Sequence, residues 1–181
     1  LKYENNLDDR IEKAMKFAEE HNFPVVLKPD LGGRGAGVWI VKDSEQLKAD
    51  IELIDYDAII QNYVEGVEYG IFWIQHPREK NGHVVSITEK RLPMVIGDGK
   101  RTLEELVLTH PRLICMAKKH LTYLSGRLDY ISKDGEKVLI GEIGTHSLGS
   151  LFLDGNQIHT PELESRFSGI AQSHKGFYFG R

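Results

Sequence analysis

Cysteine is almost missing from this sequence. Cys115 is the only one in 181 residues, so no disulfide can form within the chain. That suits a reducing compartment, and a cytoplasmic location is the expectation. Long apolar runs are missing too. The longest, Ile71–Ile74 and Leu113–Ala117, fall far below the roughly 20 residues that a membrane-spanning helix needs. The start, Leu1-Lys2-Tyr3-Glu4, is polar and unlike a secretory leader. Nor is there a basic block: 23 Lys and Arg lie scattered among 27 Asp and Glu, for a net charge of −4. Neither nucleic acid nor a membrane is therefore expected as a partner. No internal repeat or low-complexity stretch appears.

What is present suits an ordinary globular core, with 40% hydrophobic residues. Ile11, Ala14, Met15 and Ala18 share one face of a helix over 8–21, which Asn22 can end in a left-handed conformation. Strands are expected over 24–28, 38–41, 58–63 and 67–75, with 84–90 returning as a hairpin partner. Asp43 or Ser44 caps a helix that turns Leu47 and Ile51 inward. A short strand surrounds Val95, and Thr102-Leu103-Glu104-Glu105 reads as a capping box. Pro111 breaks that helix, and a second segment runs to about His120. A strand is expected over 137–143, and a glycine-rich loop over 144–155. Thr160-Pro161 opens a helix that buries Leu163, Phe167, Ile170 and Ala171. This order of helices and hairpins predicts an α+β fold with antiparallel sheets.

The most informative stretch runs Pro24-Val25-Val26-Leu27-Lys28-Pro29-Asp30-Leu31-Gly32-Gly33-Arg34-Gly35-Ala36-Gly37-Val38. An apolar strand delivers Lys28 to its end. Gly32, Gly33, Gly35 and Gly37 then strip side chains from the loop, so backbone N–H groups can approach a polyanion closely. Arg34 adds a second positive charge. The segment after the loop is a strand, which excludes the dinucleotide fingerprint. No Gly-Lys-Ser/Thr occurs, which excludes the common phosphate loop. Lys28 precedes its loop, and the His-Arg-Asp and Asp-Phe-Gly sequences are absent, which excludes a protein kinase. A loop covering nucleotide phosphates, with ATP as the expected ligand, remains alongside an ordinary glycine-rich hairpin. Downstream, Gln61-Asn62-Tyr63-Val64 joins two strands as a short hinge. Such a hinge offers adenine an apolar slot with a backbone donor and acceptor. Glu68 is the candidate for the ribose hydroxyls, unless Glu65 and Glu68 are simply solvated hairpin charges. Lys90 and Arg91 can meet a γ-phosphate or an acidic substrate, or stand as exposed charges at a strand end.

Together, Val26-Leu27-Lys28-Pro29, the glycine loop and 61–68 resemble an ATP-grasp domain. Thr88-Glu89-Lys90-Arg91, Val95–Thr102, Gly144–Gly149, Asp154-Gly155 and the final Gly-Phe-Tyr-Phe-Gly-Arg are similar to segments of a carboxylate–amine ligase-like branch. The resemblance implies an ATP-grasp fold incomplete at both ends, with a small lobe over 1–64 and a large lobe over 65–181. It implies that Lys28, Gly32, Gly33, Arg34, Gly35 and Gly37 hold phosphates, that Gln61, Tyr63 and Val64 surround adenine, and that Glu68 binds ribose. Lys90 and Arg91 are the implied catalytic pair. The implied partners are ATP, Mg²⁺ and small-molecule or peptide carboxylate and amine substrates, joined through an acyl phosphate. A phosphotransferase, or a nucleotide-binding module without turnover, remains the alternative. The branch pattern puts the Mg²⁺ carboxylates after Arg181, so this chain is expected to bind without turning over. In a rival register, Asp129 and Glu142 are the metal ligands.

Other groupings carry less. Gly144–Gly149 has one residue too many for a hydrolase nucleophile elbow, and suits an acceptor-substrate loop or a structured turn. His110, Cys115 and His120, spaced by five, cannot converge on one metal from a single helix; surface histidines and a buried cysteine are expected. Trp39, Trp73 and the terminal aromatics are expected in the core.

Overall fold

The computed structural model describes residues 1–180, so Arg181 lies outside the described residues. The chain divides into two compact units, Leu1–Gly66 and the part from Val67 onward. Every strand pairing is antiparallel, as the order of elements predicts. Among the described residues no helix is long and apolar enough to cross a membrane.

The first unit carries α1 (Leu7–His21), β1 (Val25–Pro29), β2 (Trp39–Val41), α2 (Ser44–Glu52) and β3 (Ala58–Asn62). Asn6 and Asp43 cap the two helices by accepting N–H groups of Asp9 and Gln46, each cap contributing about 1 kcal/mol. Asn22 ends α1 at a φ of 66°. The sheet runs β2-β1-β3. Ala14, Ala18, Leu47 and Ile51 of the helices bury against Val25, Leu27 and Val41 of the sheet. At the amino end, the Tyr3 N–H donates to Asp57 at 2.7 Å and Lys2 pairs with the same carboxylate at 2.6 Å. Those two contacts hold the Asp57 carboxyl below its usual range, the lysine bond contributing most.

The second unit contains β4 (Glu68–Ile74), β5 (His83–Arg91), β6 (Met94–Ile96), α3 (Leu103–Thr109), α4 (Ala117–Tyr123), β7 (Lys137–Leu139), β8 (Leu151–Asp154), α5 (Pro161–Gln172) and β9 (Phe179–Gly180). Its larger sheet runs β8-β5-β4-β9, and β6 pairs with β7 as a separate ribbon. Trp73, Val84 and Ile87 meet Ala171 of α5, with Leu163 and Phe167 alongside. A second core gathers Val95, Leu103, Val107, Leu113, Val138 and Ile140. The Thr102 capping box forms in both directions.

Several expectations change. The stretch expected to be a loop over 144–155 contains β8, which pairs with β5 from Thr88↔Asp154 to Arg91↔Leu151. Its leucines stay exposed, so no alternation marked it, and its structure comes from a partner distant in sequence. The strand expected over 137–143 stops at Leu139. The Ile140 N–H donates to Pro93 O at 3.0 Å, and proline has no N–H to return. On α5 the inward stripe is Leu163, Phe167 and Ala171, spaced by four, while Ile170 is 59% exposed. Trp73 is buried and Trp39 half-buried, but Phe177, Tyr178 and Phe179 are exposed. Cys115 is exposed and His120 buried, the reverse of the expectation. The intervening 3-10 turn (Leu113–Met116) breaks the helical phase and turns Leu113 inward.

His120 sets a pH dependence. Its Nδ1 lies 3.2 Å from Ile140 O, and its Nε2 is buried without a hydrogen-bond partner among the described residues. Burial pushes its pKa below the usual 6.5, outweighing the Ile140 carbonyl, which raises it. A depressed histidine binds its proton more readily unfolded, so stability is intact above about pH 6.5 and falls as the solution is acidified. His120→Asn keeps a donor for Ile140 and cannot ionise. Thermal melts between about pH 7 and pH 5 should show a shallower loss of Tm in this variant than in the parent; parallel curves would assign the acid sensitivity elsewhere.

Candidate functional site

β1 is the element that separates core from site. Val25 and Leu27 point into the helix-covered core, so by strand alternation Val26 and Lys28 point to the other face. Across the ladder, Lys28 pairs with Ile59 and Val26 with Gln61 and Ile40. Paired residues share a face. Lys28 and Gln61 thus stand on one side of the sheet with an apolar strip of Val26, Ile40 and Ile59 between and beside them.

The glycine loop folds back over Lys28. The Asp30 N–H donates to Asp57 O at 2.8 Å, fixing the start of the loop. Two turn bonds follow, Ala36 N–H to Gly33 O at 3.2 Å and Val38 N–H to Gly35 O at 3.4 Å. Arg34, Gly35 and Gly37 are all left-handed, with φ of 58°, 73° and 69°. For Arg34 that conformation costs about 1–2 kcal/mol. Between loop and strand lies a cleft of 280 Å³ lined by Lys28, Gly32, Gly33, Gly35, Val38 and Ile59. A cavity this small is at the lower edge of small-molecule sites, and suits a phosphate group better than a whole nucleotide. Tyr63 and Val64 are exposed just beyond β3.

The other candidates belong to the second unit. Glu68, Lys90 and Phe152 lie side by side on β4, β5 and β8. Lys90 Nζ donates to Glu68 Oε1 and sits 5.8 Å from the centre of the Phe152 ring. Gly144 closes over this row: a Cβ there would fall 2.1 Å from Glu68 Oε2. His146 lies with its ring centre 3.7 Å from that of Phe152. Arg91 does not join Lys90. As the next residue on the strand it faces the opposite side, where its Nε donates to Glu89 at 2.6 Å. That bond lowers the Glu89 pKa and raises that of Arg91.

Phe152 and Arg112 were not singled out by sequence reasoning. Phe152 hides between two leucines in a stretch expected to be a loop. Arg112 donates to Gly149 O at 3.1 Å and Ser150 O at 2.8 Å, contacts distant in sequence. Asp129 is exposed, and among the described residues no group of three His, Cys, Asp or Glu side chains could hold a metal ion.

Residues 3–64, which contain Lys28, the whole loop and the strand carrying Gln61, match the family model described as the carbamoyl-phosphate synthase L chain, ATP binding domain. That match makes residues 3–64 an ATP-grasp segment. Relatives of the chain include the glutathione biosynthesis bifunctional protein GshAB of Streptococcus agalactiae, 30% identical over 105 residues, covering 55% of this chain and 13% of that protein. Cyanophycin synthetase of Trichormus variabilis is 29% identical over 107 residues, covering 57% and 11%. The carbamoyl phosphate synthase large chain, N-terminal section, of Methanopyrus kandleri is 30% identical over 128 residues, covering 69% and 22%. The chain therefore spans less than a quarter of the length of each of these. A solved bifunctional glutathione synthetase from Pasteurella multocida aligns over 96% of this chain and 25% of its own, at 19% identity and a TM-score of 0.45. That likeness is too slight to argue from.

Within the loop two glycines should respond unequally to substitution. A Cβ at Gly37 would meet Pro29 Cγ at 2.8 Å with φ at +69°, whereas Gly33 has nothing within 4 Å. Gly37→Ala should lower stability by about 1–2 kcal/mol, and Gly33→Ala by no more than about 0.5 kcal/mol. Urea unfolding of the two variants checks the contrast, and equal midpoints would overturn this account of the loop.

Proposed function

We propose that this chain is the ATP-binding part of a cytoplasmic ATP-dependent carboxylate–amine or carboxylate–thiol ligase, with 1–64 as small lobe and 65–181 as part of the large lobe. One observation carries the reading. An outward-facing strand lysine stands under a left-handed glycine loop, inside the segment that matches an ATP-binding domain. Lys28 and Arg34 neutralise phosphate oxygens, while the amides around Gly32, Gly33, Gly35 and Gly37 approach them without side-chain hindrance. Gln61, Tyr63 and Val64 surround adenine, and Glu68 accepts from the ribose hydroxyls.

In the proposed reaction a substrate carboxylate oxygen attacks the γ-phosphorus of ATP. The bond to the bridging oxygen breaks, ADP leaves, and an acyl phosphate results. An amine nitrogen, or a thiol sulfur, then attacks the acyl carbon; phosphate departs with the bonding pair and the nucleophile loses its proton. Lys90 opposes the negative charge that develops during transfer; Arg91, on the other face of β5 and paired with Glu89, has no part in that step. The carboxylate and amine are small molecules or peptides. ATP-grasp ligases typically use Mg²⁺ with ATP. The described residues do not fit that ion, since no cluster of three suitable side chains exists among them, and no step is assigned to it.

Calorimetric titration with ATP tests the reading. Binding should be saturable, should weaken about tenfold or more in Lys28→Ala, and should change little on removing Mg²⁺. Strong Mg²⁺ dependence would instead implicate Asp129 and Glu142. Equal affinity in the parent and Lys28→Ala would overturn the phosphate role of Lys28.

A further inference from the structure

A larger cavity lies in the second unit, where β5 passes into β6 through Leu92 and Pro93. It measures 410 Å³, and its basic lining residues are Arg91, His110, Arg112 and Lys137. Among the described residues no carboxylate lines it. Met94 and Leu113 supply apolar wall. Arg91 is already paired with Glu89, so the uncompensated charge of the cavity comes from Arg112 and Lys137. Like charges facing one space without a counter-ion repel, and an anion entering the cavity relieves that repulsion.

Two of the basic groups, Arg112 and His110, are held rather than loosely solvated. Arg112 spends Nε and Nη2 on the carbonyls of Gly149 and Ser150, with His146 Nδ1 at 3.3 Å from Nη2. Among the described residues its Nη1 makes no hydrogen bond and its charge has no carboxylate partner. His110 Nδ1 accepts the N–H groups of Arg112 at 3.2 Å and Leu113 at 3.3 Å. Its Nε2 is therefore the nitrogen that carries a proton and can donate. A fixed guanidinium, an imidazole donor and an ammonium thus surround a space with hydrophobic walls. The combination fits a planar anion on an organic body. A phosphate dianion gains less, because the apolar walls would strip its hydration without replacing it.

From this arrangement we infer that the cavity is a binding site for a small organic carboxylate with a short apolar body, its carboxylate held by Arg112, Lys137 and His110. The inference does not rest on the nucleotide reading, and ATP titration of the same samples separates the two. Binding of ATP without the carboxylate would remove this site alone, and the converse result would remove the nucleotide site alone.

The test is titration of the full chain with 4-methylpentanoate, its neutral amide 4-methylpentanamide, and inorganic phosphate, followed by amide NMR shifts. The acid should bind saturably, shift signals of residues around 110–113 and 149–151, and bind about tenfold or more tightly than the amide. Lys137→Gln, an exposed position, should weaken the acid several-fold without altering the melt. Arg112→Gln should weaken it further, but it also loosens Gly149 and Ser150, so Lys137→Gln is the decisive variant. Failure of the folded chain to bind the acid, equal affinity for acid and amide, tighter binding of phosphate, or no effect of Lys137→Gln would each overturn the proposal.

Discussion

The alternation of β1 is the constraint on which the first unit depends. Val25 and Leu27 must face the helices, because together with Ala14, Ala18, Leu47 and Ile51 they make its core. Once those two are inside, the period of two leaves Lys28 no choice but the open face. A slip of one residue in the pairing would bury Lys28 among aliphatic side chains and expose Leu27. The hydrophobic effect that stabilises the sheet therefore also orients the charge. Neighbouring strands on both sides fix the same register, so among the described residues the lysine is held by packing and not by a polar contact of its own.

The second unit solves a related problem with a wider sheet. Trp73, Ile87 and α5 cover one face, and the other carries Glu68, Lys90 and Phe152 in a row. The basic cavity beyond Arg91 sits where this sheet gives way to the β6–β7 ribbon. Pro93 marks that change, since a residue without an N–H cannot carry a ladder onward.

Much of this was legible in the sequence because local signals agreed with one another. The caps at Asp43, Thr102 and Thr160, the stripe of α1 and the hairpin of β4 with β5 all rest on residues close together in the chain. The glycine loop was legible for the same reason: strand, lysine, glycines and strand are consecutive. What escaped depends on distant partners. Strand β8 has exposed leucines and exists because β5 offers it an edge. The burial of His120 follows from Ile140 and Gly149 closing over it, and the anchoring of Arg112 from carbonyls some 37 residues away. The opposite facing of Lys90 and Arg91 is implicit in their adjacency on one strand, which separates two charges that the family resemblance groups together.

The contact between Glu68 and Lys90 carries one more consequence. Each side chain is the other's partner, although the Glu68 side chain stays 53% exposed and that of Lys90 21%. An anion that draws Lys90 away frees the carboxylate for another donor, and a polyol that engages Glu68 frees the ammonium. The two events assist each other without any shift of the backbone, since all that changes is which partner each side chain holds. A molecule offering both a phosphate and a diol satisfies the two groups at once, whereas one offering either alone must leave the other half of the pair exposed.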